Sequence, residues 1–270
     1  MATAIIVMGA AGRMGSTLVR LVRAAEDLQL KAMLEHGDRL HELGNLNANL
    51  NANLDDCLRG QNLAEILPLC PRAVLVDFTS PQASLATARA AAGSGNPVVI
   101  GTTGFTPEQR AELEELAEHS PLFWSPNMSV GVNVMLRLLP ELARMLGEDY
   151  DMDIVELHHN AKKDAPSGTA LRLGEALAGA RGWTLPESAC YHREGLVGAR
   201  PRKEIGIQTV RGGDIVGVHT VYFMGAGERL EFTHQAHSRE NFAQGALRAA
   251  RWLAGQKPGR LYDMQDVLRA

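Results

Sequence analysis

Short apolar runs alternate with amphipathic stretches through the first half of the chain. After the first run, Leu18, Leu21 and Val22 recur at the spacing of one helix face. Strands that alternate with helices form parallel sheets with right-handed crossovers, so the pattern predicts an α/β fold with a doubly wound parallel sheet. The runs that read as buried strands are Ala4–Met8, Leu28–Leu34, Ala73–Phe78, Pro97–Ile100 and Leu122–Trp124.

Two of the intervening helices carry end signals in the sequence. Ser80 is placed to cap a helix that begins at Pro81, and Gly93 is placed to end it. Thr106 and Gln109 have the spacing of a capping box, with a proline between them. These signals predict where both helices begin.

The pattern changes after Val130. A long helix is predicted over Val130–Leu146, with a bend near Pro140, and it is followed by a strand over Asp151–Leu157. These elements begin a second domain of α+β type.

From Glu204 the apolar positions recur every second residue, and glycine turns at 212–213 and 225–227 separate the runs. This pattern predicts an open, largely antiparallel sheet, followed by a last helix at about 241–254 that returns to the first domain. We place the first domain at residues 1–126 and 238–270 and the second at 127–237. The Asn-rich segment Asn45–Leu54 is predicted to be a surface loop.

Composition narrows the class of protein. The formal charge of −4 over 270 residues gives no reason to expect nucleic acid or an anionic membrane as a partner. Three scattered cysteines form no disulfide framework, and the N-terminal segment lacks the basic leader of a signal peptide. No apolar stretch is long enough to cross a membrane, so we expect a cytoplasmic protein.

A glycine turn joins the first strand to the first helix. The stretch "GAAGRMG" places Gly9, Gly12 and Gly15 where a pyrophosphate can approach the N–H groups of a helix N-terminus. The spacing alone also suits a plain tight turn. Glu35 lies 20 positions after Gly15, at the end of the second strand, where a carboxylate can accept hydrogen bonds from a ribose. Together they favour a Rossmann-type dinucleotide-binding domain.

The choice between NAD and NADP stays open at this point. Glu35 repels a 2′-phosphate, whereas His36 and Arg39 follow it and Arg39 can attract one. We expect use of both cofactors, with NADH at least tolerated. The small residues of "GTTGF", from Gly101 to Phe105, follow the fourth strand and would let a flat nicotinamide lie against the backbone.

The stretch "ELHHNAKKDAPSGTA", from Glu156 to Ala170, gathers titratable and cationic groups in a mildly acidic chain. His158 and His159 are adjacent, so on an extended chain they point to opposite faces and do not chelate one metal ion. Ser167 is placed to cap a helix whose first N–H groups belong to Gly168 and Thr169, an arrangement that suits a carboxylate. With Lys162 on the preceding loop, the stretch predicts a site for an anionic substrate beside a nicotinamide ring.

These motifs resemble a known family. "ELHHNAKKDAPSGTA" is similar to the signature of the 4-hydroxy-tetrahydrodipicolinate reductase family, also called dihydrodipicolinate reductase. "GAAGRMG", "GTTG", "SVGVN", "RGGDIVG" and "THQAHSR" resemble its other blocks in the same order. The resemblance implies reduction of a small cyclic imine dicarboxylate by NADH or NADPH, in the diaminopimelate route to lysine. It also implies a cytoplasmic homotetramer, assembled through the open sheet of the second domain.

The resemblance also implies roles for individual residues. His158 matches the general acid/base and Lys162 the proton donor. His36 and Met128 stand where many family members carry an arginine and an aromatic residue. The positions that match substrate-binding residues are His159, Lys162, Gly168, Thr169 and Arg239. The positions that match cofactor-binding residues, or adjoin them, are Gly9, Ala10, Ala11, Gly12, Arg13, Met14, Glu35, His36, Gly101, Thr102, Thr103, Ser125, Pro126, Asn127 and Met128.

Two other functions remain possible at this point. Another two-domain nicotinamide enzyme, such as an amino-acid or sugar dehydrogenase, accounts for the first half equally well but leaves the His-His-Lys segment unexplained. A nucleotide-sensing regulator without catalysis is the second alternative, and the presence of His158 and Lys162 argues against it.

Overall fold

The computed structural model describes residues 2–44, 46 and 56–269. The chain divides into two compact units, one formed by Met1–Ser129 with Glu240–Ala270 and the other by Val130–Arg239. The predicted fold class is confirmed, because the first unit holds a parallel sheet with helices and the second holds helices with a separate sheet. The loop predicted for residues 45–54 lies outside the described residues, apart from Leu46, which is helical and buried.

The sheet of the first unit has seven strands, all parallel, in the order β12-β6-β5-β4-β1-β2-β3. Its strands are β1 (Thr3–Met8), β2 (Leu28–Leu34), β3 (Leu58–Gly60), β4 (Val74–Asp77), β5 (Val98–Ile100), β6 (Leu122–Trp124) and β12 (Leu261–Tyr262). Its helices are α1 (Arg13–Ala24), α2 (Leu63–Ile66), α3 (Pro81–Ser94), α4 (Pro107–Leu116), α8 (Glu240–Leu253) and α9 (Met264–Val267). The strand order reverses between β1 and β4, and ligands of such sheets bind beyond the carboxyl ends of the strands at that point.

Burial explains why the central strands read as continuous apolar runs. Every residue of Ile5–Val7, Val74–Val76 and Val98–Ile100 is fully buried, as expected for strands covered on both faces. Helix α8 packs so closely on the turn after β6 that a Cβ at Gly245 would lie 1.8 Å from the backbone oxygen of Met128. Helix α8 therefore returns the chain to the first unit, and Gly245 permits the close contact.

The predicted helix caps are confirmed with one correction. The Ser80 side chain accepts a hydrogen bond from the Ala83 N–H, and Thr106 and Gln109 form the predicted capping box. The predicted end at Gly93 is wrong, because α3 continues to Ser94 and Gly95 caps it in the left-handed conformation, with φ of +73°. Gly95 adopts this conformation without a Cβ clash and donates its N–H to Ala91 O.

The second unit holds a five-stranded sheet in the order β11-β10-β7-β9-β8. Its strands are β7 (Asp151–His158), β8 (Ala189–Cys190), β9 (Ile205–Arg211), β10 (Gly217–Gly225) and β11 (Glu228–Ala236), and its helices are α5 (Val130–Leu146), α6 (Gly168–Ala180) and α7 (Leu185–Ser188). The sheet is mixed rather than largely antiparallel: β10 is antiparallel to both β7 and β11, whereas β9 is parallel to β7 and β8. Long connections permit the parallel pairing, because α6 and α7 lie between β7 and β8 and residues 191–204 join β8 to β9.

One face of β7 is buried along its length. Met152 and Ile154 belong to the apolar core formed with α5 and α6, and the alternation continues with Glu156 and His158 on the same face. The inner face of the strand therefore changes from apolar to polar at its carboxyl end, where the candidate chemistry lies. In the part of the chain that the structure describes, no helix combines the length and the apolarity needed to span a bilayer.

Candidate active site

The glycine turn of the first unit begins at the carboxyl end of β1. Gly9 has φ of +61°, which favours glycine, and a Cβ there would lie 2.7 Å from Thr79 Cγ2. A Cβ at Gly15 would lie 2.0 Å from Gly9 O, so the turn packs directly on the start of α1. No side chain caps α1, whose N-cap is Gly12. Arg13 and Met14 open the helix, so the turn presents a bare helix N-terminus of the kind that receives a phosphate.

The carboxylate of Glu35 faces this turn. Its Oε2 accepts the N–H of Ala11 at 2.9 Å, and its Oε1 accepts the N–H of His36 at 3.0 Å. The residue is only 8% exposed, which is unusual for a glutamate. The guanidinium of Arg39 lies 3.9 Å from Glu35 and is held mainly by Glu42, at 2.8 Å. The structure thus places the Glu35 carboxylate against the glycine turn and the Arg39 guanidinium next to that carboxylate.

A hydroxyl network lies beyond the carboxyl ends of β4 and β5. Asp77 is fully buried, and its Oδ1 accepts hydrogen bonds from Thr79 N, Thr79 Oγ1 and Ser84 Oγ at 2.8, 2.6 and 3.0 Å. Ser84 Oγ lies 2.7 Å from Thr102 Oγ1. The network orders the loop that holds Gly101, Thr102 and the exposed Thr103. Asp77 and Ser84 were not predicted from the sequence. A carboxylate at the end of a buried strand needs polar partners, so Asp77 could have indicated this network.

The remaining predicted cofactor positions form the turn that follows β6. Ser125 Oγ donates to Asn127 O at 2.8 Å, and Asn127 Oδ1 accepts the Ser129 N–H at 2.8 Å. Pro126 is half-buried and Met128 is buried at 2% exposure. Ala10 is likewise fully buried, so these positions shape the backbone of the loops more than they offer side chains.

In the second unit, the candidate site is built on the inner face of the sheet. Glu156 is paired in register with Thr209 of β9 and His219 of β10. His158 is paired with Arg211 of β9. Because cross-strand partners project to the same face, these five polar side chains meet on the inner face of the sheet.

Glu156 is the centre of this cluster and is fully buried. Arg211 binds its two carboxylate oxygens at 2.8 Å each, and Ser167 N donates to Oε1 at 2.9 Å. Thr209 Oγ1 lies 3.2 Å from Oε1, and His158 Nδ1 lies 2.5 Å from Oε2. Burial raises the pKa of Glu156, but the hydrogen bonds from His158, Arg211 and Ser167 outweigh it and bring the pKa far below its ordinary value. The carboxylate is therefore charged at neutral pH.

His219 is a second buried imidazole in the cluster. Its ring lies edge-on to His158, with centroids 5.2 Å apart, and its Nε2 lies 3.0 Å from Ser167 Oγ. Burial lowers the pKa of His219 to about 4, so this ring is neutral at neutral pH. Ser167 also caps α6 as predicted, since its hydroxyl accepts the Ala170 N–H at 3.2 Å.

The loop between β7 and α6 carries the predicted cation. Lys162 Nζ lies 2.8 Å from Asp164 Oδ1, and the lysine side chain is 21% exposed. The hydrogen bond from Lys162 lowers the pKa of Asp164. Arg211 donates to Asp164 O at 2.8 Å, so one arginine joins this loop to Glu156.

The other predicted substrate positions divide into two groups. Gly168 and Thr169 occupy the first two positions of α6, directly after Ser167. His159 is half-buried and donates its N–H to Ile215 O at 2.8 Å, whereas Arg239 is exposed in the turn after β11 and belongs to none of the hydrogen bonds of the cluster. Glu156, Arg211 and His219 belong to the site but were not predicted from the sequence. The alternation of β7 would have placed Glu156 inside, but the two partners come from other strands.

Comparisons with known proteins give matches that span both units. Family models described as "Dihydrodipicolinate reductase, N-terminus" and "Dihydrodipicolinate reductase, C-terminus" match residues 3–128 and 131–268. The chain is 63% identical over 267 residues to a 4-hydroxy-tetrahydrodipicolinate reductase of Nitratidesulfovibrio vulgaris (strain DP4), covering 99% of this chain and 100% of the relative.

Two solved structures extend the comparison. A dipicolinate-bound dihydrodipicolinate reductase from Paenisporosarcina sp. TG-14 has a TM-score of 0.77 and 27% identity, covering 98% of this chain and 99% of the other. A scyllo-inositol dehydrogenase from Lactobacillus casei, with bound NAD(H), has a TM-score of 0.58 and 12% identity, covering 100% of this chain and 94% of the other. At that identity the second likeness shows a shared fold only.

Proposed function

Because the chain belongs to the dihydrodipicolinate reductase family, we infer that it reduces 4-hydroxy-tetrahydrodipicolinate to tetrahydrodipicolinate with NAD(P)H, a step of diaminopimelate and lysine biosynthesis. The observation that carries the proposal is the cluster of the second unit. It combines a buried, carboxylate-bound imidazole at His158, a cation at Lys162 and the N-terminus of α6.

The substrate is a dicarboxylate, so binding needs cations and N–H donors. Lys162 supplies a full positive charge, and the first turn of α6, with Gly168 and Thr169, supplies the positive end of a helix dipole. Gly168 is exposed and has no side chain to obstruct an approaching carboxylate. Asp164 binds the Lys162 ammonium before substrate arrives. The substrate carboxylate then replaces Asp164 as the anionic partner of Lys162.

The hydroxyl group of the substrate leaves as water, which forms the conjugated double bond. Reduction of that bond then requires a hydride, which NAD(P)H supplies, and a proton. The chain must supply the proton. We assign this task to His158, because Glu156 occupies its Nδ1 and only Nε2 can then exchange a proton with the substrate. Lys162 is the second proton source. General acid assistance by one such group contributes on the order of 10²–10⁴ in rate.

The first unit fits a dinucleotide. Side chains at Gly9 or Gly15 would collide with the turn, so the backbone there stays open to a pyrophosphate, and Glu35 is positioned for the ribose hydroxyls. Arg39 lies near enough to Glu35 to attract a 2′-phosphate. We therefore propose that both NADH and NADPH are used.

The experiment that tests the function mixes the protein with freshly generated 4-hydroxy-tetrahydrodipicolinate and NADH or NADPH. Loss of nicotinamide absorbance that depends on both substrate and protein is expected. Absence of turnover with both cofactors would contradict the proposal. NAD⁺ reduction with polyols under the same conditions would favour the sugar-dehydrogenase alternative, and retention of tight NADH binding without any turnover would favour a regulator.

Replacing Glu35 by alanine is expected to weaken the binding of NADH more than the binding of NADPH. The carboxylate interacts with an unmodified ribose, but it repels a 2′-phosphate that Arg39 attracts. Some loss with both cofactors is also expected, because Glu35 holds the Ala11 N–H of the turn. Dissociation constants from nucleotide fluorescence measure the effect, with Asp38→Ala as the control because Asp38 is an exposed carboxylate on the same segment. Equal losses for the two cofactors would contradict the placement at the ribose.

We propose that the protein is a homotetramer that assembles through the second unit. Tyr191, Leu196 and Val197 are exposed beside the sheet, and Val210 on its outer face is 43% exposed. Apolar groups so exposed are typical of contact surfaces. Sedimentation velocity is expected to show a species of about four times 29.2 kDa, and a stable monomer would contradict the assembly. A cytoplasmic location is part of the proposal, in keeping with three free cysteines.

A further inference from the structure

We propose that Glu156 is a positioning residue for this reaction: it fixes the proton of His158 on Nδ1 and so assigns proton exchange with the substrate to Nε2. Arg211 keeps Glu156 in the anionic form that this requires. The inference rests on the proposed function and adds two residues to it, both of which act through His158.

The geometry ties the imidazole to the carboxylate. His158 Nδ1 and Glu156 Oε2 are 2.5 Å apart, and both residues are buried on the inner face of β7. Residues two apart on a strand share a face, so the strand itself holds the pair together. The ring has little freedom to rotate, because His219 packs against it edge-on and Gly217 lies on its other side.

The partners of Glu156 keep it ionised. Arg211 donates two hydrogen bonds, one to each oxygen, and the N–H of Ser167 donates a third. A bidentate guanidinium is a strong partner for a carboxylate. An ionised carboxylate only accepts hydrogen bonds, so the nitrogen of His158 that faces Glu156 must be the donor. The Nδ1–H tautomer follows, and Nε2 is left to accept a proton or, once protonated, to donate one.

The surroundings of Nε2 support the same assignment. An ideal Cβ built on Gly217 would lie 3.0 Å from His158 Nε2, closer than side chains normally approach. Any residue other than glycine at position 217 would therefore crowd this nitrogen. The structure gives Nδ1 a permanent partner and keeps the space beside Nε2 clear.

Other titratable groups lie near the His158 imidazole, on the neighbouring strands and on the loop between β7 and α6. His219 of β10 is neutral at neutral pH, and its Nε2 is engaged by Ser167. Lys162 opposes protonation of a nearby imidazole, but its charge is matched by Asp164. The groups that face the cluster are Glu156, Arg211, His219, His234, Lys162 and Asp164. Of these, Glu156 forms a direct hydrogen bond with Nδ1 of His158.

The test is the substitution Glu156→Gln, which keeps the shape and removes the charge. We expect kcat to fall on the order of 10²-fold with little change in KM. We also expect the pH profile of kcat/KM to change, because His158 loses the charged carboxylate that it contacts and Arg211 loses its anionic partner. Glu156→Asp, which keeps the charge, is expected to retain a profile close to wild type.

Asp151→Asn is the matched control, because it removes an exposed carboxylate from the same strand. It is expected to leave both kcat and the pH profile unchanged. If Glu156→Gln lowers kcat or thermal stability but keeps the wild-type profile, the residue is merely structural and the inference is overturned.

A measurement on the wild-type protein covers the case in which Glu156→Gln does not fold. Imidazole ¹⁵N and ¹H NMR, assigned by comparison with His158→Gln, is expected to show His158 as the Nδ1–H tautomer with a strongly deshielded proton. An Nε2–H tautomer would overturn the inference. Because this measurement needs no substrate, it separates failure of the inference from failure of the proposed reaction, which inactive wild-type protein would reveal.

Discussion

Replacing Lys162 by alanine is expected to lower kcat/KM at least about a hundredfold while leaving the affinity for NADH intact. In the proposed mechanism, the substitution removes the ammonium that binds a substrate carboxylate and one of the two groups that supply a proton. Its structural effect is small, because the side chain is partly exposed and its partner, Asp164, lies in the same loop. Steady-state kinetics and nucleotide fluorescence measure the two effects separately.

Lys163→Ala is the matched control for this experiment. Lys163 is the next residue along the chain and is exposed, so its loss removes the same charge from the loop without touching the cluster. Its kinetics are expected to match those of the wild type. Wild-type turnover by Lys162→Ala would remove Lys162 from the mechanism, and equal losses for both lysines would point to the general charge of the loop.

Replacing His158 by glutamine is expected to lower kcat by roughly 10²–10⁴-fold, the range that a positioned general acid contributes. Glutamine can still hydrogen-bond to Glu156 but cannot exchange a proton near neutral pH. The basic limb of the pH profile is expected to disappear together with the rate. A pH-dependent steady-state assay at saturating cofactor measures both changes.

His192→Gln serves as the control, because His192 is exposed and its Nε2 lies 3.0 Å from the exposed carboxylate of Glu194. It is expected to leave kcat unchanged. Retention of a substantial rate by His158→Gln, with an unaltered profile, would transfer the acid role to Lys162 alone.

The fold was largely predictable because its long elements follow simple periods. β1, β2 and α5 lie within one residue of their predicted ends, since burial on one stripe or both faces imposes a clear apolar pattern. The strands β3, β8 and β12 were missed. Each has only two or three residues and lies at or beside a sheet edge, so too few positions are buried to create a pattern.

The candidate site was predictable only where its members are close in sequence. His158, Lys162 and Ser167 are close neighbours along the chain, and each belongs to an element whose ends the sequence marks. Arg211 and His219 reach the cluster through strand pairing, across 55 and 52 residues, which no local pattern encodes. Glu156 belongs to the motif, but the motif alone assigns it no role because a glutamate in a strand ordinarily faces solvent.

Arg211 has a consequence for how the enzyme tolerates change. Its two amino groups grip both the carboxylate beneath the imidazole and the backbone oxygen of Asp164, the residue that steadies Lys162. His158 and Lys162, the two proposed proton sources, are therefore both connected to Arg211, one through Glu156 and the other through Asp164. Substitutions at His158 and Lys162 should consequently combine non-additively, and a variant that adapts to a differently shaped acid would have to readjust both groups in concert.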